Sequence, residues 1–196
     1  MRRISIDAVR DAATSVYQAA ARTPLIPLAL PDDVRARLGP DTPAEIFLKL
    51  EIFQPIGSFK IRGAWNAIRQ LSSDQLREGV WTVSAGNAAQ GVAFAARRAG
   101  VACSVMVMDT APQTKIQAIQ RLGATIVPVT YDEAWQTVVA HGSDRMRGHM
   151  VHPFDDDAFI AGNATCGLEI LEDLPDVDAV VAPLGGDLHR RGNLVQ

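Results

Sequence analysis

The sequence has two cysteines in 196 residues, Cys103 and Cys166, far apart and each among apolar neighbours. That excludes a disulfide framework and fits buried free thiols in a reducing, cytoplasmic setting. The four histidines (His141, His149, His152, His189) show neither HxxxH nor HExxH spacing, so no metal site is expected. Charge of one sign is scarce. Nineteen Lys and Arg against 22 Asp and Glu leave a net charge of −3 with no basic stripe, which argues against a nucleic-acid partner. No apolar run approaches the roughly 20 residues of a membrane-spanning helix, and Arg2-Arg3 is followed by no apolar targeting segment. Neither GxGxxG, GxxxxGK[ST] nor GxSxG occurs, so a dinucleotide fingerprint, a Walker-type site and a nucleophile elbow all lack support.

What remains is a 47% hydrophobic, 21% charged chain of globular composition, long enough to bury a sizeable core. Ser5 is a plausible N-cap for an Ala-rich amphipathic helix over residues 7–21. Pro24 and Pro27 then enforce an extended segment. Residues 31–43 read as loop with one short turn of helix, and residues 45–51 alternate apolar and charged side chains as a strand does. A helix is expected over 59–71. Beyond it strands and helices alternate: strands at 80–84, 101–108, 124–129, 149–152 and 178–184, and helices at 87–98, 113–122, 132–141 and 158–174. Alternation with short turns predicts an α/β fold with parallel sheets and right-handed crossovers. Ligands in such sheets sit where strands run into helices.

Three such turns stand out. In Pro55-Ile56-Gly57-Ser58-Phe59-Lys60, Ser58 is a good N-cap and Lys60 falls in the first helical turn. The positive end of the helix dipole and nearby Arg62 both disfavour its charge, which would raise its neutral, nucleophilic fraction. A solvated surface lysine is the other reading. In Ser84-Ala85-Gly86-Asn87-Ala88-Ala89-Gln90-Gly91, small residues precede a helix start whose free amides suit a carboxylate or phosphate, with Ser84, Asn87 and Gln90 adding polar groups. An ordinary capped turn explains the same residues. Gly185-Gly186 after a buried strand could open a phosphate-binding nest, or form a plain turn. His152-Pro153-Phe154-Asp155-Asp156-Asp157 reads as a polar turn, Lys115 as a solvated helix-start lysine, and Trp65, Trp81 and Trp135 as packing residues.

Taken together, these segments are familiar. Ser58-Phe59-Lys60-Ile61-Arg62-Gly63-Ala64 resembles the lysine motif of the fold type II pyridoxal-phosphate enzymes, in their serine/threonine dehydratase (threonine ammonia-lyase) and serine racemase branch. The stretch from Ser84 to Ala93 resembles that family's Asn loop. Ala111-Pro112-Gln113-Thr114-Lys115, Leu122-Gly123-Ala124, His152-Pro153-Phe154-Asp155-Asp156, Ile160-Ala161-Gly162, Gly167-Leu168-Glu169-Ile170 and Arg22-Thr23-Pro24-Leu25 match in the family's order, up to Gly186.

The resemblance implies a tryptophan-synthase-β-like architecture of two parallel-sheet, three-layer α/β domains. A small one over 45–148 would carry the lysine and Asn loops; a larger, incomplete one would be built from 1–44 and 149–196. It implies pyridoxal 5'-phosphate as cofactor, with Lys60 as Schiff-base lysine and base at the substrate Cα. Asn87 would bond the cofactor's phenolic oxygen, Phe59 would pack beside its ring, and Gly185 and Gly186 would begin the phosphate loop. Ser84, Gly86, Ala88 and Gln90 would line the substrate carboxylate site, Ser84 counting also as catalytic. The implied reaction removes water from threonine or serine to give a 2-oxo acid and ammonia, in a cytoplasmic homo-oligomer with no metal, membrane or nucleic-acid partner. Two departures leave alternatives open. Ala88 stands where the family commonly has His. After Gly186 the chain reads Asp187-Leu188-His189-Arg190-Arg191 and continues unlike the family, as a C-terminal truncation or frame-shift would. An inactive fragment or association module, and an amino-acid racemase, are the competing expectations.

Overall fold

A computed structural model describes residues 4–38 and 45–182. Gly185, Gly186 and Asp187 lie outside the described residues. Helix α1 (Ile6–Val16) starts where Ser5 Oγ accepts the Ala8 amide at 3.1 Å. Strand β1 (Leu25–Pro27) pairs antiparallel with β2 (Phe47–Lys49), with α2 (Asp32–Leu38) between them in sequence. The strand that precedes Lys60 is therefore part of a two-stranded ribbon and stands apart from the parallel sheet.

After a single 3-10 turn (Glu51–Phe53) comes α3 (Lys60–Arg69), the central helix of the molecule, buried from Ile61 through Ile68. Helix α4 (Ser73–Glu78) follows. It has a full capping box, in which Ser72 and Gln75 each bond the other's backbone amide. Then β3 (Val80–Val83), α5 (Asn87–Ala99), β4 (Cys103–Met108), α6 (Gln113–Arg121), β5 (Thr125–Val129), α7 (Tyr131–Ala140), β6 (His149–Met150) and α8 (Asp157–Asp173) alternate as the sequence predicts, to within a few residues at each end. Thr130 and Asp156 cap α7 and α8.

One expected strand is corrected. Residues 178–182, the described part of the 178–184 prediction, form no strand, and Val180 and Val181 are exposed. An apolar run becomes a strand only beside a partner with free ladder groups, and no described strand pairs with this one.

The four-stranded sheet is parallel throughout, in the order β5-β4-β3-β6. The chain moves outward from β3 to β4 to β5, then returns to place β6 on the other side of β3. The order thus reverses between β3 and β6, and the crevice beyond their carboxyl ends is where open parallel sheets bind ligands. One face of the sheet packs on α5 through the main core, which includes Val80, Val92, Ala96, Val105 and Ile119. The other face packs Trp81, Val83, Met106 and Val129 against Ala134 of α7.

Two glycine contacts set how the helices meet. A Cβ on Gly63 would lie 2.4 Å from the Phe159 carbonyl oxygen, and one on Gly91 would lie 2.9 Å from the Lys60 carbonyl oxygen. Only a bare Cα lets α8 and α5 approach α3 this closely.

Candidate active site

Lys60 opens α3 next to that crevice. Ser58 does not occupy the cap position expected of it. Phe59 already has helical dihedrals (φ −61°, ψ −17°), so the buried Ser58 hydroxyl accepts the Lys60 amide at 3.2 Å from one residue further back. The Lys60 ammonium donates to the Pro153 carbonyl at a long 3.4 Å. Three phenyl rings surround it, with centroids at 5.3 Å (Phe59), 5.3 Å (Phe159) and 6.0 Å (Phe154). Half-buried among these groups, the amine has its pKa lowered, and burial is the cause.

Arg62 is not the source of that shift, contrary to the sequence expectation. Its guanidinium points into a buried ion cluster. It donates to Glu169 at 2.6 and 3.1 Å, to Glu51 at 2.7 and 2.9 Å, to Thr165 Oγ1 at 3.2 Å and to the Ala21 carbonyl at 3.1 Å. Lys49 bonds Glu169 at 2.6 Å, and the Tyr17 hydroxyl does so at 2.8 Å. Burial disfavours the guanidinium's charge, but the hydrogen bonds to Glu51 and Glu169 outweigh it and the pKa is raised. In Glu169 burial pushes the pKa up, and the bonds from Arg62, Lys49 and Tyr17 bring it below the usual carboxylate value. With its charge compensated here, Arg62 is not available to bias Lys60.

The loop that supplies Pro153 and Phe154 is itself fixed by His152. This ring is buried, its Nε2 is 3.1 Å from the Val138 carbonyl, and its Nδ1 accepts the amides of Phe154 (3.2 Å) and Asp155 (2.8 Å). Those partners select the neutral Nε2–H tautomer. Its pKa is lowered, first by burial. His141 stacks on it at 4.3 Å and bonds Asp155 at 3.2 Å.

Across the crevice, β3 ends in Ser84-Ala85-Gly86 and α5 begins at Asn87. The Ser84 hydroxyl accepts the Gly86 amide at 3.1 Å and keeps its own proton to donate. No side chain caps α5. By helix geometry the amides of Asn87, Ala88 and Ala89 have no intrahelical acceptor. Asn87 is exposed, Gln90 is half-buried, and Ala88 is buried in the main core, so its amide is its contribution to a ligand. Beside Ser84 and Gly86 lies a cavity of about 340 Å³, bounded by Met106, Met108, Trp135 and Phe154. Lys60 does not line this cavity, but Phe154 borders both. Sequence reasoning missed Phe154 and Phe159 as neighbours of the lysine; the matching His152-Pro153-Phe154 segment was the available signal. Among the described residues no group of three His, Cys, Asp or Glu side chains could hold a metal ion. No described helix is long and apolar enough to cross a membrane.

The family described as "Pyridoxal-phosphate dependent enzyme" matches residues 16–188. This chain belongs to that family. Among its relatives, the L-threonine ammonia-lyase of Thermotoga maritima is 40% identical over 185 residues, covering 93% of this chain and 44% of that protein. The serine racemase of Homo sapiens is 44% identical over 149 residues, covering 74% and 44%. Among solved structures, maize serine racemase superposes with a TM-score of 0.78 at 31% identity, over 90% of this chain and 52% of that one. Threonine deaminase isoform 2 of Solanum lycopersicum superposes with a TM-score of 0.68 at 34% identity, over 88% and 50%. The chain therefore spans about half the length of the relatives it matches, with the tryptophan-synthase-β-like α/β fold over that half.

The residues present suit the family's cofactor. The donor set combines an amine held toward its neutral form, uncapped helix amides for an anion, an exposed carboxamide in Asn87 and phenyl rings for an aromatic face.

Proposed function

We propose that this chain serves a pyridoxal-phosphate-dependent lyase that removes water from serine or threonine, yielding a 2-oxo acid and ammonia. The observation that carries this reading is the desolvated Lys60 amine at the sheet's reversal point, facing a helix start free to bind an anion. Pyridoxal phosphate, when bound, is an electron sink for the pair left at Cα on deprotonation. Lys60 would hold it covalently, Asn87 would bond its phenolic oxygen and Phe59 would lie beside its ring, with Gly185 and Gly186 assigned to its phosphate.

The chain's own groups do the rest. The Ser84 hydroxyl, the free first-turn amides including that of Ala88, and the Gln90 carboxamide bind and orient the substrate carboxylate, which the side-chain-free Gly86 lets approach the backbone. The Lys60 amine, whose pKa burial lowers and whose neutral fraction is thereby raised, accepts the Cα proton at Nζ. Hydroxide leaves the β-carbon with a proton as water, and the released enamine hydrolyses to the 2-oxo acid and ammonia. The buried Phe159 ring, 5.3 Å from Nζ, shields the amine from water on one side. The domain division at residues 45–148, self-association and a reducing cytoplasmic setting belong to the same proposal.

The test is covalent trapping. The purified chain is incubated with pyridoxal phosphate, reduced with borohydride and mapped by mass spectrometry, and 2-oxo acid production from L-threonine and L-serine is followed in parallel. The adduct is expected on Lys60 and absent from Lys60→Ala. A chain that takes the label on Lys49 or Lys115 instead would sink the proposal. Racemisation is the second reading, favoured by the identity to serine racemase. It needs the same proton abstraction but retains the β-hydroxyl, so D-serine without 2-oxo acid would favour it.

A further inference from the structure

The cavity beside Ser84 is larger and more apolar than a hydroxymethyl or hydroxyethyl side chain requires. Its volume of about 340 Å³ falls in the size range of small-ligand sites, roughly 300–1,000 Å³. Its floor is the sheet, through Val83, Met106 and Met108, and its far wall is α7, through Ala134, Trp135 and Val138. Tyr131 and Phe154 add aromatic edges. The lining residues that carry polar groups are Ser84, exposed Lys115, and Tyr131 and Trp135 through their hydroxyl and indole N–H, with the Gly86 backbone beside Ser84. A threonine methyl would leave most of this space empty, whereas an aryl or branched alkyl group would meet apolar surface on both sides and ring faces suited to offset or edge contact.

We infer that this cavity is a subsite for an apolar side group, aryl or branched alkyl, on the carboxylate ligand held at Ser84 and Gly86. The inference rests on the reading of that turn as the carboxylate site. It extends the substrate class to 3-hydroxy amino acids with a bulky apolar β-substituent. An acidic side group, which Lys115 would attract, is the opposing case, and the apolar walls weigh against it.

Three carboxylates separate these cases: propanoate, 3-phenylpropanoate and succinate. Each is titrated against the cofactor-free chain, following tryptophan fluorescence and thermal shift. 3-Phenylpropanoate is expected to bind about tenfold to a hundredfold more tightly than the other two, as burial of a phenyl group implies. Ala134→Leu and Val138→Phe, which fill the cavity from α7, should each remove that preference while propanoate binding stays. Circular dichroism checks their folding, and if one fails to fold the other carries the test. Equal affinities, a preference for succinate, or an unchanged phenyl preference in a folded filling variant overturns the inference. Borohydride trapping of pyridoxal phosphate on Lys60, run alongside, separates this outcome from the fate of the proposed reaction. Trapping without phenyl preference overturns the subsite alone; phenyl preference without trapping supports the subsite and overturns the lyase reading.

Discussion

Gly91 lies against the backbone of Lys60, one turn into α5 from Asn87, with no room between them for a methyl group. A Cβ there would come within 2.9 Å of the Lys60 carbonyl oxygen and 3.1 Å of its carbon. Those atoms belong to the first turn of a buried helix and cannot rotate away. The contact therefore sets the distance between the lysine and the helix start that faces it.

Gly91→Ala should for this reason destabilise the chain by about 1–3 kcal/mol, although alanine is the better helix former by about 1 kcal/mol. At roughly 2–4 °C per kcal/mol for a chain of this size, the loss is readable by calorimetry. Gly167→Ala is the matched control. It also sits in a helix interior, but nothing lies within 4 Å of its added Cβ, so propensity acts alone and the melting temperature should rise. A rise for both would show that α5 and α3 are not in close contact.

Arg62 bridges Glu51 and Glu169 with both carboxylates largely removed from water. Arg62→Ala leaves two buried charges without their main partner and should cost about 3–5 kcal/mol. Arg62→Lys, with one point charge in place of a planar fork, should recover only part of this. Because Glu169 is held below its ordinary pKa, it contributes stability that is present above the unfolded carboxylate value and lost as pH falls through the folded one. Urea unfolding of the wild type on the acid side should show this loss, and Glu169→Gln should flatten that part of the profile.

His152 adds a second pH dependence nearer neutrality. Its folded pKa lies below the ordinary 6.5, so the folded state binds fewer protons than the unfolded chain in that window. Its contribution is complete above about pH 6.5 and lost as pH falls through the folded value. Protonating Nδ1 also abolishes the acceptor for the Phe154 and Asp155 amides. His152→Gln should lower stability at pH 7 and show less further loss on mild acidification. A variant whose profile parallels the wild type would rule His152 out as the titrating group.

Much of this fold follows from local sequence. The α/β alternation, the caps at Ser5, Thr130 and Asp156, and the end of α5 at Gly100 are all written in neighbouring residues. Helix α4 could have been read from Ser72 and Gln75, whose spacing is that of a capping box. The misjudged features depend on contacts distant in sequence. Arg62 is drawn from Lys60 by Glu169, 107 residues away. The 178–182 segment has strand composition but no described strand beside it. Phe159 reaches Lys60 because α8 crosses α3 at Gly63, and the 340 Å³ cavity is a product of how α7 settles on the sheet.

Lys60 itself offers the last prediction, and it needs no cofactor. The chain has three lysines, Lys49, Lys60 and Lys115. Lys49 is engaged by Glu169 and donates to the Thr23 carbonyl, Lys115 is exposed, and Lys60 has a desolvated amine with one long hydrogen bond. Acylation requires the neutral amine, so the pH at which Lys60 becomes half-reactive reports its titration. Labelling with limiting acetic anhydride, read by mass spectrometry across pH, should place the midpoint of Lys60 below the ordinary lysine value of 10.5. The same desolvation makes Lys60 a burden on the fold. Lys60→Met keeps most of the side-chain volume, removes a charge that burial disfavours and should leave the melting temperature unchanged or higher at neutral pH. A lower melting temperature, or a Lys60 midpoint at or above 10.5, would mean that the amine is solvated.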